Sequence, residues 1–290
     1  YQNAVTYARE RRQGRALTGP EDKDAKADPI LVHPDVRRML MDARAFTEGA
    51  RALTMWAALQ IDLAHHAETE EEREEADEIV GLLTPVIKGY FTDKGFETAV
   101  NAQQVYGGHG YITEWGMEQY VRDARIAQIY EGTNGIQAMD LVGRKLGRNG
   151  GKALMQFAAM VTEEIEAAKA DEVLAPLAAK LEKAGGELQA ATMWLMQNGT
   201  ANPNDAGAGA VPYMHLMGVV SLGLMWLKMA RAAQARLADG ASDDGFYTAK
   251  LITARYYMDR YLPDAGALRR KLEAGAESMM ALPEEAFARG

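Results

Sequence analysis

YGGHGYITEWGMEQYVRDARIAQIYEGTNGIQAMDLVGR, Tyr106 to Arg144, is the stretch that decides the fold. It reads as a glycine-rich loop, a charged helix, a tight loop holding a carboxylate, and a second helix. The carboxylate is Glu131, preceded by apolar Ile129 and Tyr130 and followed by the small-residue turn Gly132-Thr133. Partial desolvation at such a place suits a general base. The same four residues also read as a helix-capping loop whose Glu faces water. Glu118 and Arg122, four apart, suit a surface ion pair on the charged helix.

Upstream, Tyr1 to Gln13 reads as the tail of a helix, and Gly14 to His33 as a polar loop marked by Gly19-Pro20 and Asp28-Pro29. A long helix opens at Pro34, a favoured first-turn residue. Val36, Ala43, Ala50, Ala57 and Ala64 recur every seven residues, with Leu40, Thr47, Thr54 and Ile61 between them, which predicts a close-packed helix seam. Glu68 to Glu78 is acidic apart from Thr69, Arg73 and Ala76, and reads as a solvated helix end or surface loop. Helix resumes over Ile79 to Tyr106 despite Pro85, Gly89 and Gly95, and stops at Gly107-Gly108.

Downstream, Leu154, Phe157, Ala158, Val161 and Ile165 share one helix face. Leu174, Leu181, Leu188 and Leu195, alternating with Leu177, Ala184 and Ala191, form another packing seam. Gly199 to Gly209 reads as a loop, and three helices follow over Pro212 to Ala233, Asp243 to Leu262 and Asp264 to Leu282. Val211 to Leu227 carries no charge, but it is short for a membrane span and holds Pro212, His215 and Ser221, so a buried bundle helix is expected. No convincing strand alternation occurs. The expectation is an all-α chain of two domains, residues 1–149 and 150–290.

Composition narrows the function. A chain of 290 residues with 48% hydrophobic content can bury a large core. A formal charge of −9 and a pI near 5.2 argue against nucleic acid and anionic membrane as partners. The absence of cysteine rules out disulfides and thiolate metal sites, which suits a cytoplasmic protein. The five histidines show no zinc-type spacing beside acidic residues. The opening YQNAVTYARERRQGR lacks an initiator Met and a signal core and reads as helix interior, so a longer protein is expected around this sequence.

Gln104 to Gly110 (QVYGGHG), Arg122 to Ile126 (RDARI) and Ile129 to Gln137 (IYEGTNGIQ) together resemble the C-terminal helical domain of the flavin-dependent acyl-CoA dehydrogenases. The resemblance reaches back to Glu10-Arg11-Arg12-Gln13 and covers roughly the first half of the chain; the helices after Gly150 resemble the extension of one subgroup. It implies an acyl-CoA dehydrogenase C-terminal bundle followed by a further helical bundle. It implies Glu131 as the base that takes a proton next to the thioester carbonyl of an acyl-CoA, and FAD as cofactor. Arg11, Gln13, Gln104 and Gly108 would contact the adenosine and pyrophosphate end of a flavin held by a neighbouring subunit. Thr133 would contact flavin, and Arg122-Asp123 would support the Glu131 loop. The implied partners are an electron-transfer flavoprotein and further copies of the chain, as homodimer or tetramer. An acyl-CoA oxidase would use the same Glu, and a helical assembly module would have lost the site. Three departures stand out: no Phe follows Gln13, Asn134-Gly135 replaces the commoner Ser and Glu or Gln, and Glu114-Trp115-Gly116 stands for Glu-Tyr-Pro.

This reading makes an expectation for the sequence expressed alone. Residues 1–290 should fold as helix yet bind FAD poorly and lack dehydrogenase activity, because the groups that seat the flavin ring are expected upstream. A purified yellow chain with stoichiometric flavin, bleached by an acyl-CoA, would contradict it.

Overall fold

Helical periodicity governs nearly every long segment, and the computed structural model, which describes residues 1–288, is 79% helical. No strand occurs among the described residues; an isolated antiparallel bridge joins Arg12 and Pro29. The principal helices are α1 (Gln2–Glu10), α2 (Pro34–His66), α3 (Glu70–Val105), α4 (Met117–Ala127), α5 (Asn134–Asp140), α6 (Lys152–Lys169), α7 (Ala175–Asn198), α8 (Pro203–Ala238), α9 (Phe246–Arg260) and α10 (Asp264–Glu273). Backbone contacts group them into two compact units that interleave along the sequence. One comprises Tyr1–Glu48 with Thr92–Glu131, the other Gly49–Phe91 with the described residues from Gly132 onward.

The first unit closes around small residues. Ala4 and Ala8 of α1, Met39 and Leu40 of α2, Ala102 and Val105 of α3, and Met117 of α4 are buried together with Ile30. Alanines on α1 allow its backbone close to the core.

The second unit is built on α8, against which α5, α6, α7, α9 and α10 all pack. Its uncharged segment is 83% buried. The α7 seam lies where periodicity puts it, with Leu174, Leu177, Leu181, Ala184, Leu188, Ala191 and Leu195 all buried. Glycines let α8 and α3 meet closely. A Cβ at Gly218 would lie 2.3 Å from a ring carbon of fully buried Tyr90, and one at Gly89 would lie 2.3 Å from the Met214 sulfur.

Several details differ from the periodicity. The stretch 199–209 is not all loop, because Asn202 caps α8 through its side chain (3.2 Å to the Asn204 N–H) and Pro203 takes the first turn. Helix α9 starts at Phe246, not Asp243, whose carboxylate instead accepts the N–H groups of Gly245 and Tyr247 (both 3.0 Å). After α10 the described residues hold two four-residue helices, Glu277–Met280 and Glu284–Phe287, in place of a helix continuing to Leu282. The buried face of α6 runs through Ala153, Phe157, Val161, Ile165 and Ala168, leaving Ala158 exposed. It also contains Glu164, which accepts Arg231 at 2.7 Å and Lys228 at 3.2 Å from α8. Desolvation pushes that carboxyl up, but the hydrogen bonds from Arg231 and Lys228 outweigh it and hold it below its ordinary range. Along α2 the alanines at 43, 50, 57 and 64 stay buried or half-buried, whereas Thr54 and Ile61 are exposed, as expected when a straight helix drifts away from a seven-residue repeat. The acidic run is mostly solvated, and Thr69 and Glu72 cap α3 reciprocally (3.1 and 3.2 Å), but Glu78 is buried.

Gly218 tests the α3–α8 approach. Alanine would gain about 1 kcal/mol of helix propensity, but overpacking against a rigid, buried ring costs about 1–3 kcal/mol or more. With a clash this short the overpacking should win, and Gly218→Ala should lower the midpoint of denaturant unfolding with the m-value unchanged. An unchanged or raised midpoint would show that Tyr90 moves aside freely.

Candidate functional site

Arg11 ends α1: its N–H still reaches the Tyr7 carbonyl at 2.8 Å, but its backbone is already extended (φ −68, ψ 121). From there residues 14–28 form a loop whose two ends are tied together. Ile30 N–H donates to the Arg11 carbonyl (2.8 Å), Gln13 N–H to the Asp28 carbonyl (3.0 Å), and Asp28 N–H to the Gly14 carbonyl (3.0 Å). His33 Nε2 donates to the Gln13 carbonyl at 2.7 Å.

The loop is organised by one carboxylate. Asp28 is fully buried; its Oδ2 accepts Ala16 N–H at 3.0 Å and Glu21 N–H at 3.3 Å, and its Oδ1 accepts Asp22 N–H at 3.1 Å and Arg15 at 3.3 Å. The Ala16 bond leads in stabilising the anion; desolvation opposes it, and the Asp22 and Glu21 bonds and Arg15 add to it, holding the carboxyl at about 2.

The facing wall is the end of α3. Gly107, in the left-handed region at φ 57, turns the chain into the Gly107–Tyr111 turn. An aromatic stack fixes that turn to α1: Tyr7 stacks on Tyr106 at 4.1 Å, its hydroxyl lies 2.8 Å from His109 Nδ1, and His109 stacks on Trp115 at 4.3 Å. Trp115 thus packs the turn in place. Burial pushes the Tyr106 phenol up, so it stays protonated and donates to the Asn3 carbonyl at 3.0 Å.

Between these walls lies a cleft of about 270 Å³ lined by Arg11, Gln13, Gln104 and Gly108. Four of the six sequence candidates therefore converge. Arg12 pairs with Asp22 and Arg15 with Asp28, whereas Arg11 has no carboxylate partner among the described residues. The side-chain amides of Gln13 and Gln104 likewise carry no internal hydrogen bond, and a Cβ at Gly108 would meet nothing within 4 Å. An unneutralised guanidinium, two free amides and open glycine backbone suit a phosphate and its attached nucleoside.

Glu131 and Thr133 do not line this cleft. Glu131 is exposed and left-handed (φ 57), followed by Gly132 at φ 80. Thr133 is exposed at the N-cap of α5, with no side-chain capping bond. Arg122-Asp123 does not brace the loop: Arg122 is exposed and does not pair with Glu118, and Asp123 accepts Gln119 at 2.7 Å. The bracing comes from Asn134, inside the quoted motif, and from Lys88 and Gly89, which no motif singles out. Lys88 of α3 donates to the Gly132 carbonyl at 2.7 Å and to Asn134 Oδ1 at 2.8 Å, and Asn134 Nδ2 donates to the Gly89 carbonyl at 3.1 Å. A lone lysine in the otherwise uncharged run Ile79 to Thr92 was the available signal.

Residues 1–146 match the family described as acyl-CoA dehydrogenase, C-terminal domain. The chain belongs to the acyl-CoA dehydrogenase family. Residues 157–283 match a second description, acetyl-CoA dehydrogenase C-terminal like. The 3-methylmercaptopropionyl-CoA dehydrogenase of Ruegeria pomeroyi is 40% identical over 97% of this chain and 47% of its own length. The broad-specificity linear acyl-CoA dehydrogenase FadE5 of Mycobacterium tuberculosis is 34% identical over 99% and 48%. The chain thus spans about half the length of the curated relatives it matches. Among solved structures, Caenorhabditis elegans ACDH-11 in complex with C11-CoA superposes with a TM-score of 0.70 at 19% identity, covering 95% of this chain and 43% of that one. An acyl-CoA dehydrogenase from Bacillus anthracis complexed with FAD gives 0.67 at 18%, covering 93% and 45%. At these identities the structures establish the all-helical acyl-CoA dehydrogenase fold.

Asp28 makes the cleft of this acyl-CoA dehydrogenase chain sensitive to acid. Its folded value is depressed, so its contribution to loop order is present above the ordinary carboxylate value of 3.8 and disappears as pH falls towards about 2. Limited pepsin digestion should begin in the 14–28 loop within that window, and Asp28→Asn should move the onset to higher pH. Equal resistance of the variant and wild type across the window would deny Asp28 this role.

Proposed function

We propose that this chain forms the helical half of an FAD-dependent acyl-CoA dehydrogenase that introduces a trans-2,3 double bond into an acyl-CoA thioester, with 3-methylmercaptopropionyl-CoA among its substrates. The observation that carries the proposal is the convergence of Arg11, Gln13, Gln104 and Gly108 on one cleft, with Arg11 holding no carboxylate partner among the described residues. That donor set fits the diphosphate and adenosine of FAD. When bound, FAD accepts the hydride that leaves the carbon two from the thioester carbonyl.

The chain's own residues do the rest. Arg11 offers a planar two-pronged donor to the diphosphate, which a lysine would not reproduce. Gln13 and Gln104 offer amides to sugar and base, and Gly108 leaves its backbone accessible. Glu131 accepts the proton from the carbon next to the thioester carbonyl. That carbon is a weak acid, so the carbonyl oxygen needs donors whose hydrogen bonds strengthen as charge develops there, and the Glu131 N–H is one of them. A site shared between subunits requires at least a homodimer, and we place the assembled enzyme in the cytoplasm with an electron-transfer flavoprotein as its acceptor.

The experiment uses the whole enzyme that contains this chain. Glu131→Gln should retain flavin while kcat falls by about a hundred- to ten-thousand-fold. Arg11→Ala should weaken FAD retention on gel filtration, with activity restored by added FAD. Turnover by Glu131→Gln within about threefold of wild type would remove Glu131 from the chemistry, and undiminished FAD retention by Arg11→Ala would remove the cleft from cofactor binding.

A further inference from the structure

The loop carrying Glu131 is held in an unfavourable conformation, and the groups that hold it are identifiable. Glu131 and Gly132 both lie in the left-handed region, at φ 57 and φ 80. For Gly132 this is free of strain; for Glu131 it is unfavourable because Cβ crowds the following carbonyl. Such a conformation persists only where neighbours over-determine it. At and just after Gly132, the Lys88 ammonium donates to the Gly132 carbonyl and to Asn134 Oδ1 at 2.7 and 2.8 Å. Asn134 is buried, with 9% exposure, and its amide is used at both ends, since Nδ2 reaches the Gly89 carbonyl at 3.1 Å. Gly89 brings the α3 backbone close to α5, where a Cβ would lie 3.7 Å from Gln137 Cβ. Successive residues of α3 thus hold the loop, Lys88 through its ammonium and Gly89 through its carbonyl.

We propose that Lys88 and Asn134 are positioning residues for the base, together fixing the backbone that aims Glu131. The proposal rests on the reading of Glu131 as the base. The Asn134 amide can accept from Lys88 and donate to Gly89 together across this span. The ammonium bonds are charge-assisted and therefore stronger than a neutral substitute would give. A base displaced by about 1 Å loses on the order of a hundredfold in rate, because proton transfer depends on a near-attack geometry.

The test compares Lys88→Met, Asn134→Ala, Lys88→Arg and Glu131→Gln in the whole flavin-loaded enzyme. For Lys88→Met and Asn134→Ala, kcat should fall by about ten- to a hundredfold while KM for the acyl-CoA and the flavin content stay within about twofold. The isotope effect with substrate deuterated at the carbon next to the carbonyl should rise, because proton removal becomes slower relative to other steps. Lys88→Arg, able to donate to two oxygens, should recover most of the loss. Amide hydrogen exchange at Gly132 to Asn134 should quicken by about tenfold or more in Lys88→Met. Unchanged exchange at those amides would overturn the clamp whatever Glu131 does. A fall in kcat matched by equal loss of flavin, with no rescue by Lys88→Arg, would overturn it in favour of a structural role. Wild-type turnover by Glu131→Gln would overturn the base assignment instead, and accelerated exchange in Lys88→Met would then still show that the loop is clamped.

Discussion

The second unit depends on burying a helix that has no polar face. From Met214 to Leu227 every side chain of α8 except His215 is buried, and Trp226, Met214 and Leu216 are wholly so. Each large side chain removed from water contributes roughly 1.5–3 kcal/mol, so the helix needs neighbours on all sides, and α5, α6, α7, α9 and α10 supply them. Of the polar groups carried inside, the hydroxyls of Thr192 and Tyr213 lie 2.7 Å apart and Tyr257 donates to the Val219 carbonyl at 2.9 Å, whereas the Ser221 hydroxyl has no hydrogen-bond partner among the described residues. Burial pushes both phenols far up and keeps them neutral. The requirement extends to α5, which follows the Glu131 loop directly, so the same packing that hides α8 anchors the far end of that loop.

Much of this was legible in the sequence. The leucine seam of α7, the stop at Gly107, the long helix from Pro34 and the uncharged core of α8 all follow from spacing and composition, because burial imposes a period that survives without knowledge of neighbours. What misled was local chemistry that tertiary context overrides. Gly199 to Gly209 has loop composition, yet an Asn cap and a first-turn Pro start a helix within it. Glu78 belongs to a run that reads as solvated, but the Asn149 amide and the Arg148 guanidinium on another element face it and make its burial tolerable. No one-dimensional pattern contains those partners.

The candidate site divides in the same way. Arg11, Gln13, Gln104 and Gly108 are more than ninety positions apart in two groups, and only the resemblance joined them; the structure brings the four to one cleft. The reason is a carboxylate that no motif marked. Asp28 gathers the N–H groups of a polar loop and thereby closes it, leaving Arg11 and Gln13 on its outer rim. Lys88 was equally silent, since a lysine in an apolar helix reads as a long stem reaching water until the carbonyl it serves is known.

With Glu131 as the proposed base, its left-handed backbone would set folding and chemistry against each other at a single codon. Glycine there would relax the strain by about 1 kcal/mol and delete the carboxylate in the same step. Selection for cellular abundance and selection for turnover therefore pull that position in opposite directions. A lineage released from that proposed chemistry would have a downhill route to a better-folded, silent descendant, one substitution away.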